Sequence, residues 1–378
     1  MATELTFTTT DSDWTPPTSY PDLSDRSMIA IDLETRDPNI KKTGPGWPTN
    51  DGEIVGIAVA TDGFKGYFPI AHERGDNLDP NMTMKWFQKV MASDADKICH
   101  NASYDIGWCR ASGIKTNGKI IDTMLAGAII DENRRGYSLN ALSAEYLGEI
   151  KSEVKLREKA EEWGLDAKAD LWKLPPSFVG EYAEQDAELT LKLWRKFETE
   201  IKLQNLSSIF EMETKLLPIL IEMREHGIRM DMNKAEVMKK TFVLEEKKKL
   251  HEIKGLTGID MDLWAATSVA KAFDAMKVPY DRTEKTKAPS FTTNWLHNCT
   301  HPLAKLVREA REMNKFHSTF IDSIFRFEHK GRIHAEINQL RSDNGGTVTG
   351  RLSMSNPNLQ QVPARNKEFG KQIRSLFL

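Results

Sequence analysis

The chain has 378 residues, of which 39% are hydrophobic and 28% are charged. This length predicts two or three domains, and the composition excludes a wholly disordered chain. No apolar run approaches the roughly 18 residues that a membrane span requires, and the N-terminus lacks a basic-then-apolar signal pattern. We therefore expect a cytoplasmic protein without a membrane segment. Its three cysteines are too few and too scattered for a disulfide framework or a zinc site.

Charge divides the chain into two parts. Residues 1–205 carry 24 basic and 34 acidic side chains, and residues 206–378 carry 28 basic and 21 acidic side chains. This asymmetry is consistent with carboxylate-bound metal in the first part and phosphate contact in the second, although solvated surfaces produce it as well.

The first part predicts an α/β domain with a mixed sheet, after an irregular segment over residues 1–26. Apolar runs bounded by glycine, proline and polar residues predict strands, and wider periodicity predicts helices. The predicted strands cover 28–34, 54–60, 66–70 and 97–100, and the predicted helices cover 82–91, 104–112, 123–130 and 176–201.

After residue 206 the strand signal nearly disappears. We predict a helix over 210–226 ending at Gly227, with Pro218 as the one residue that could kink it, and a second over 233–254 stopped by Gly255. A polar loop is expected over 281–290, followed by an amphipathic helix over 303–327. The basic face of that helix carries Lys305, Arg308, Arg311 and Lys315.

Two carboxylates close the first predicted strand. Alternation along the strand places Asp32 and Glu34 on the same face, near enough to share one cation, and their buried context calls for a compensating charge. The same Asp-x-Glu triplet also occurs at Asp51/Glu53 and Asp186/Glu188, so the pattern alone is also compatible with a strand that simply ends in polar residues.

Two further elements follow along the chain. Asp105 falls in the first turn of a predicted helix that Asn101 or Ser103 could cap, and Tyr182 and Asp186 stack one turn apart on another helix. Each alone has a structural alternative, a favourable acid at a helix start or an aromatic facing the sheet. Asp122 is interpreted as a helix N-cap rather than a further ligand.

Together the three elements resemble the 3′→5′ exonucleases that have four metal-binding acids and an active-site tyrosine. The resemblance implies that Asp32, Glu34, Asp105 and Asp186 hold two divalent ions for phosphodiester hydrolysis, and that Tyr182 orients the attacking water. Ligation by oxygen alone favours Mg²⁺ or Mn²⁺ over zinc.

A second resemblance lies near the C-terminal end. Residues 349–353 and 356–365 closely resemble the run that leads into the palm of family A DNA polymerases, such as bacterial polymerase I and its phage relatives. The resemblance implies a ribonuclease H-like exonuclease domain over 27–205 and a partial, mostly helical polymerase domain, thumb and start of the palm, over 206–378. It places Arg351, Asn358 and Gln360 along the primer-template minor groove, and Lys315 and Arg365 toward the DNA backbone or nucleotide site.

The resemblance implies a proofreading exonuclease portion of a replicative polymerase that binds single-stranded 3′ ends and primer-template DNA. The chain stops before the first catalytic aspartate of the palm, so we expect it not to polymerise alone and to work with a second polypeptide that supplies palm and fingers. A natural half and a truncation both remain open. If the chain is phage-encoded, we expect it in the host cytoplasm.

Two other functions remain open at this stage. One is a catalytically silent half that binds DNA or assembles a split polymerase, and the other is a stand-alone exonuclease acting on RNA. With the rest of the palm absent, we also expect an exposed apolar patch near the C-terminus, formed by Val348, Leu352, Leu359, Val362, Ile373, Leu376, Phe377 and Leu378.

Overall fold

The computed structural model describes residues 12–341, 345–363 and 369–378. The chain forms two compact units. The first consists of Met1–Gly227 together with His334–Gln360, and the second consists of Ile228–Ile333 together with Gln361–Leu378. The chain thus leaves the first unit at Gly227 and returns to it at His334. The predicted domain boundary at residue 205 stays a prediction.

A five-stranded mixed sheet is the centre of the first unit. Its strands are β1 (Met28–Arg36), β2 (Glu53–Thr61), β3 (Phe64–Pro69), β4 (Asp96–Cys99) and β5 (Ile120–Asp122). The spatial order is β3-β2-β1-β4-β5, in which β1, β2 and β3 are antiparallel and β4 and β5 run parallel to β1. The predicted α/β class with a mixed sheet is confirmed.

Eight α-helices belong to the described part of the first unit. They are α1 (Ile40–Thr43), α2 (Pro80–Ala92), α3 (Ala102–Ala111), α4 (Thr123–Ile130), α5 (Leu139–Tyr146), α6 (Val154–Glu162), α7 (Pro176–Leu203) and α8 (Ser207–His226). Short 3₁₀ turns cover Trp47–Thr49, Leu171–Lys173 and Leu359–Gln361. Strand β5 and helices α5 and α6 were not predicted, because each is short and weakly periodic. Pro218 lies inside α8, which ends at Gly227 as predicted.

The two faces of the sheet differ in side-chain size. One face presents the small residues Ala30, Ala58 and Ala60 to α7, whose Ala183 and Ala187 pack in the same core. Small side chains on both surfaces allow a helix to approach a sheet closely. The other face presents Ile29, Ile31 and Leu33 to a second core, which contains residues of α2, α3 and α8. Helix α7 therefore lies close to the face toward which the even-numbered residues of β1 point.

The second unit is mostly helical. Its helices are α9 (Met232–Thr257), α10 (Ala266–Ala275), α11 (Thr293–Asn298), α12 (Pro302–Lys315), α13 (Asp322–Phe327) and α14 (Phe369–Arg374), with a π-helical segment over Phe316–Ile321. Its short strands are β6 (Ile228–Arg229), β7 (Asp281–Arg282), β8 (Pro289–Ser290), β9 (Glu328–His329) and β10 (Arg332–Ile333). The returning segment adds the antiparallel pair β11 (Glu336–Asn338) and β12 (Ser353–Ser355) to the first unit.

Four expectations about this part of the chain were wrong, in whole or in part. Helix α9 continues through Gly255 to a left-handed C-cap at Gly258, because one interior glycine costs only about 1 kcal/mol of helix stability. The helix predicted over 303–327 is interrupted by the π-helical segment, and β7 and β8 close the ends of the predicted polar loop. Ile373 and Leu376 are fully buried, whereas Val348, Leu352 and Leu378 are exposed as expected.

Within the described ranges, no helix combines the length and the apolar character needed to cross a membrane.

Candidate active site

The carboxylates of β1 lie on the face that α7 covers. Ile31 and Leu33 point into the opposite core, so the alternation of the strand turns Asp32 and Glu34 toward α7. The pairing of β1 with β2 shifts register immediately after Glu34. This irregularity ends the regular part of the strand at the second carboxylate, as is common beside functional sites.

Asp105 reaches β1 from the first turn of α3. It is buried, and its Oδ1 accepts a hydrogen bond of 3.0 Å from the backbone N–H of Leu33, between Asp32 and Glu34. Strand β4 pairs with β1 only along Met28–Ala30, so Asp105 provides an acceptor beyond the end of that pairing. The third predicted carboxylate thus lies beside the first two.

Asp122 holds the start of α3 in place. Asn101 has a left-handed backbone (φ 72°) and, among the described residues, no side-chain capping bond, so the expected cap by Asn101 is not found. The Asp122 carboxylate instead accepts from the backbone N–H groups of Asn101 (3.0 Å) and Ala102 (2.9 Å). It also accepts from Met124 N–H (2.9 Å), which confirms the predicted N-cap of α4. One buried carboxylate therefore ties two helix N-termini together.

Tyr182 and Asp186 lie one turn apart on α7, as predicted. Asp186 is buried, and Tyr182 packs partly buried against the same core. Among the residues that the structure describes, Oδ1 of Asp186 has no hydrogen-bond partner although it is buried. An oxygen without a partner in this position is available to a cation.

Lys151, which the sequence motifs do not include, enters the site from the segment between α5 and α6. Its Nζ donates to Asp186 Oδ2 (2.8 Å) and to Tyr182 Oη (3.1 Å), and it lies 3.2 Å from Glu153 Oε1. The ammonium also lies 4.5 Å from the centre of the Tyr182 ring. Only 8% of this side chain is exposed, so the ion pair with Asp186 is buried.

The carboxylates influence one another electrostatically. Burial, and after it the charge of Asp186, raises the pKa of Asp32 to about 7, while Lys151 acts in the opposite direction. Burial followed by the charges of Asp32 and Asp186 raises the pKa of Glu34 well above its usual value. Burial followed by Asp32 does the same for the pKa of Asp105. Four carboxyl groups that destabilise one another's charged forms are brought together here, and positive charge would relieve them.

The donor set fits a hard divalent cation. Four carboxylates supply only oxygen atoms, and Asp186 retains a buried oxygen without a partner. In residues 12–341, 345–363 and 369–378, no three His, Cys, Asp or Glu side chains are already gathered around one point as metal ligands. The fit therefore rests on the chemistry of the carboxylates and on their mutual effect on pKa.

Behind Glu34, a tyrosine packs against a glycine. Glu34 pairs with Gly56 across the β1–β2 ladder, and a methyl group on Gly56 would overlap the ring of Tyr67. The Tyr67 hydroxyl donates to His72 Nε2 (2.6 Å), whose Nδ1 donates to the carbonyl of Leu174 (2.8 Å). Burial lowers the pKa of His72 to about 4, so the ring is neutral and Nε2 can accept. Sequence motifs did not identify this support, because its members have no fixed spacing.

A polar cavity of about 310 Å³ lies beside the N-terminal turn of α3 in the first unit. Both α3 and the returning segment contribute to its wall. The side chains that matter here are Asn101, Ser103, Tyr104, Arg224, Asn338 and Asn356.

Four of the predicted nucleic-acid-binding residues are exposed. Arg351, Asn358 and Gln360 lie in the returning segment of the first unit, and Gln360 Nε2 donates to the carbonyl of Leu352 (2.9 Å). Lys315 is the last residue of α12 in the second unit. Arg365 lies outside the described residues.

The predicted basic face of α12 is only partly a free surface. Arg311 donates to the backbone carbonyls of Leu263 and Phe291, both at 2.8 Å, and therefore holds two loops of its own unit. Lys305 and Lys315 are exposed. The expectation that all four basic residues face outward fails at Arg311, because helical periodicity does not reveal which loops cover a helix.

Comparison with known proteins gives two family matches in tandem. Residues 20–202 match the 3′-5′ exonuclease model of family A DNA polymerases, and residues 232–378 match the model of DNA polymerase family A itself.

Phage and bacterial polymerases are similar over nearly the whole chain. A DNA-directed DNA polymerase of Pseudomonas phage M6 is 35% identical over 98% of this chain, and DNA polymerase DpoZ of Salmonella phage PMBT28 is 30% identical over 95%. DNA polymerase I of Pseudomonas aeruginosa is 26% identical over 94%. The chain spans 58%, 59% and 39% of the lengths of these three relatives.

A solved structure has the same fold. The POL domain of Pol1 from M. smegmatis, in complex with DNA primer-template and dNTP, superposes with a TM-score of 0.71 at 21% identity. The match covers 94% of this chain and 55% of that chain. With an exonuclease match and a polymerase match of one family in tandem, and similar phage and bacterial polymerases along its length, the chain belongs to the family A DNA polymerases.

Proposed function

We propose that this chain is a metal-dependent 3′→5′ exonuclease that removes nucleotides from DNA ends. The observation that carries the proposal is the group of four carboxylates beside Tyr182, of which Asp105 and Asp186 are buried and Asp32 and Glu34 are half-buried. These five residues lie inside the stretch that matches the exonuclease family. Withdrawing four acids from water, two of them fully and two in part, is costly unless cations compensate them, so a role in stability alone does not account for the group.

The four carboxylates would hold two divalent cations, Mg²⁺ or Mn²⁺, which when bound supply activation of water and stabilisation of the leaving oxygen. The contribution of the protein is to fix the positions of these carboxylates. Asp105 is fixed to β1 by Leu33, and α3, which carries Asp105, is fixed by Asp122. Each ligand therefore belongs to a strand or helix whose place is set before a cation arrives.

Tyr182 would orient the attacking water or a phosphate oxygen. Burial, followed by the charges of Asp186 and Glu34, raises the pKa of its hydroxyl well above the usual value, so the group keeps its proton at neutral pH. A protonated hydroxyl beside the carboxylates can donate a hydrogen bond without becoming a ligand itself. Its loss should be milder than the loss of a carboxylate.

We also propose that the polar cavity beside α3 receives the end of the DNA strand. Amide and hydroxyl groups from Asn101, Ser103, Asn338 and Asn356 suit sugar and base edges, and the cavity adjoins the helix that carries Asp105. Lys315, Arg351, Asn358, Gln360 and Arg365 are proposed to contact primer-template duplex. Recognition by charge and shape would not depend on sequence.

The test is hydrolysis of a 5′-labelled single-stranded DNA oligonucleotide by the purified full chain, with Mg²⁺, with Mn²⁺ and with EDTA. We expect metal-dependent shortening from the 3′ end. Asp32→Ala with Glu34→Ala should lower the rate by several orders of magnitude, and Tyr182→Phe by less. The matched control is Asp51→Ala with Glu53→Ala, which removes the same triplet at a site facing Arg36 and Asn39.

Two results would contradict the proposal. One is a rate for the Asp32/Glu34 double variant equal to that of the wild type. The other is faster hydrolysis of an RNA oligonucleotide of the same sequence, which would favour an RNA exonuclease. A wild-type chain that binds DNA without shortening it would favour the silent, DNA-binding alternative.

A further inference from the structure

We propose that Lys151 is a resident counter-cation of the carboxylate site and competes with divalent metal for Asp186. The inference rests on the proposed exonuclease function, and concerns a residue outside the three sequence motifs. Lys151 Nζ lies 2.8 Å from Asp186 Oδ2, and the two side chains are only 8% and 7% exposed. Its position makes it a positive charge that offsets part of the negative charge of this site.

An ammonium and a divalent ion compete for the same carboxylate in this arrangement. Lys151 bonds both Asp186 and Tyr182, which lie on the same face of α7. A hard divalent ion on the unpartnered Oδ1 of Asp186 lies about 2.0–2.6 Å from that oxygen, close to the ammonium that holds Oδ2 of the same carboxylate. At distances of this order the repulsion between the two cations is strong in a buried site. This repulsion favours withdrawal of Lys151 from Asp186 when the ion binds.

The segment around Lys151 contacts α7 through one backbone hydrogen bond and one exposed ion pair, so we assign the movement to the lysine side chain. Glu149 pairs with Lys192 (2.9 Å), and the backbone N–H of Ser152 donates to Gln185 Oε1 (3.1 Å). Both partners lie on α7, on either side of Asp186 along the helix. Rotation about the bonds of the lysine stem can withdraw the ammonium while these contacts remain.

Glu153 offers the withdrawn ammonium a second partner. Its Oε1 already lies 3.2 Å from Lys151 Nζ, and only 13% of its side chain is exposed. The lysine can thus shift from sharing Asp186 with Glu153 to pairing with Glu153 alone. Asp186 and Glu153 thus define the two positions between which the Lys151 ammonium would move.

The experiment measures Mn²⁺ binding by calorimetry, without DNA, together with the thermal midpoint in EDTA. Lys151→Gln should tighten Mn²⁺ binding by about tenfold, because the ion no longer displaces a buried ion pair. It should also lower the thermal midpoint of the metal-free protein and increase the rise in that midpoint on adding Mn²⁺. Lys151→Arg should restore the metal-free midpoint.

Two further variants keep the result interpretable. Lys155→Gln removes an exposed lysine of the same region, paired with Glu181 at 3.1 Å, and should leave Mn²⁺ affinity unchanged. Glu153→Gln retains Lys151 but removes its second partner, and should weaken Mn²⁺ binding several-fold. This variant gives a result of opposite sign even if Lys151→Gln fails to fold.

Equal Mn²⁺ affinity in the wild type, Lys151→Gln and Glu153→Gln would overturn the inference, whatever the hydrolysis assay shows. A wild type that binds Mn²⁺ with the predicted variant effects but does not shorten DNA would overturn the proposed function and leave this inference standing.

Discussion

The backbone N–H of Leu33 donates a hydrogen bond of 3.0 Å to Oδ1 of Asp105, a residue 72 positions further along the chain. The bond is made beyond Ala30, the last residue of β1 that pairs with β4. It therefore gives Asp105 a structural role in addition to its proposed role as a ligand, and the two roles can be separated by substitution.

Asp105→Asn should retain the bond, because the amide oxygen can accept from Leu33, and should lose the charge. We expect an unfolding free energy in EDTA at least equal to that of the wild type, with weaker Mn²⁺ binding and slower hydrolysis. Asp105→Leu should also lose the acceptor and cost about 1–3 kcal/mol, because Leu33 N–H becomes a buried donor without a partner. Equal stability of the Asn and Leu variants in denaturant titrations would contradict the structural role.

From the raised pKa of Asp32 we predict how the stability of the metal-free protein depends on pH. Its pKa is about 7 in the folded chain, against 3.8 as the usual value, so the folded state holds this proton more tightly than the unfolded state. The cost of the charged form is complete above pH 7 and disappears as the pH falls toward 4. Asp32→Asn should therefore stabilise the metal-free protein at pH 8 by roughly 2–4 kcal/mol, and by little at pH 4.

Asp166 is the matched control for this measurement. Hydrogen bonds, first from Ala169 N–H and then from Lys41, lower its pKa to about 2, which is the opposite direction. Asp166→Asn should therefore destabilise the chain at pH 7, and the difference should disappear below pH 2. A gain from Asp32→Asn that is independent of pH would show that the burial of its charge is not the cause.

Gly56 leaves the space that Tyr67 occupies behind Glu34. Gly56→Ala should cost about 2 kcal/mol or more, because the buried Tyr67 ring is also held through His72 and cannot withdraw freely. Gly255→Ala is a control of opposite sign. A methyl group there meets open space in the last turn of α9, and should stabilise by about 0.5–1 kcal/mol. Thermal unfolding of both variants tests the two predictions. A change of stability in the same direction for both variants would contradict them.

Arg311 and Lys315 lie on one helix but should respond differently to substitution. Lys315→Ala should leave thermal stability unchanged and weaken binding to primer-template DNA. The slope of log affinity against log salt concentration should fall by about one, the contribution of one phosphate contact. Arg311→Ala should destabilise the chain by about 2 kcal/mol or more, because two carbonyls lose their donor. Fluorescence anisotropy at several salt concentrations measures the first effect. Unchanged DNA affinity in Lys315→Ala would remove that residue from the proposed interface.

Sequence reasoning reached those parts of the candidate site that depend on local periodicity. Alternation along β1 predicted that Asp32 and Glu34 share a face, and helical spacing predicted the same for Tyr182 and Asp186. It could not find Lys151, which meets Asp186 across 35 positions of the chain and belongs to no motif. It also missed Tyr67 and assigned Arg311 to a free surface, because both assignments depend on which distant segment packs there.

The first unit is built from two separate stretches of the chain, and this affects when it can finish folding during synthesis. Two buried charged residues of α8 each have a partner in the returning segment: Glu213 accepts from Gln339 Nε2 (2.7 Å), and Arg224, which also donates to the carbonyl of Pro45 (3.2 Å), lies 3.7 Å from Glu336. A ribosome releases α8 before it has made either partner, since the whole stretch from Ile228 to Ile333 is synthesised in between. For that interval α8 lacks these two partners, and water must solvate the Glu213 carboxylate. The unit is therefore finished late, by residues that sequence order would assign to the polymerase half.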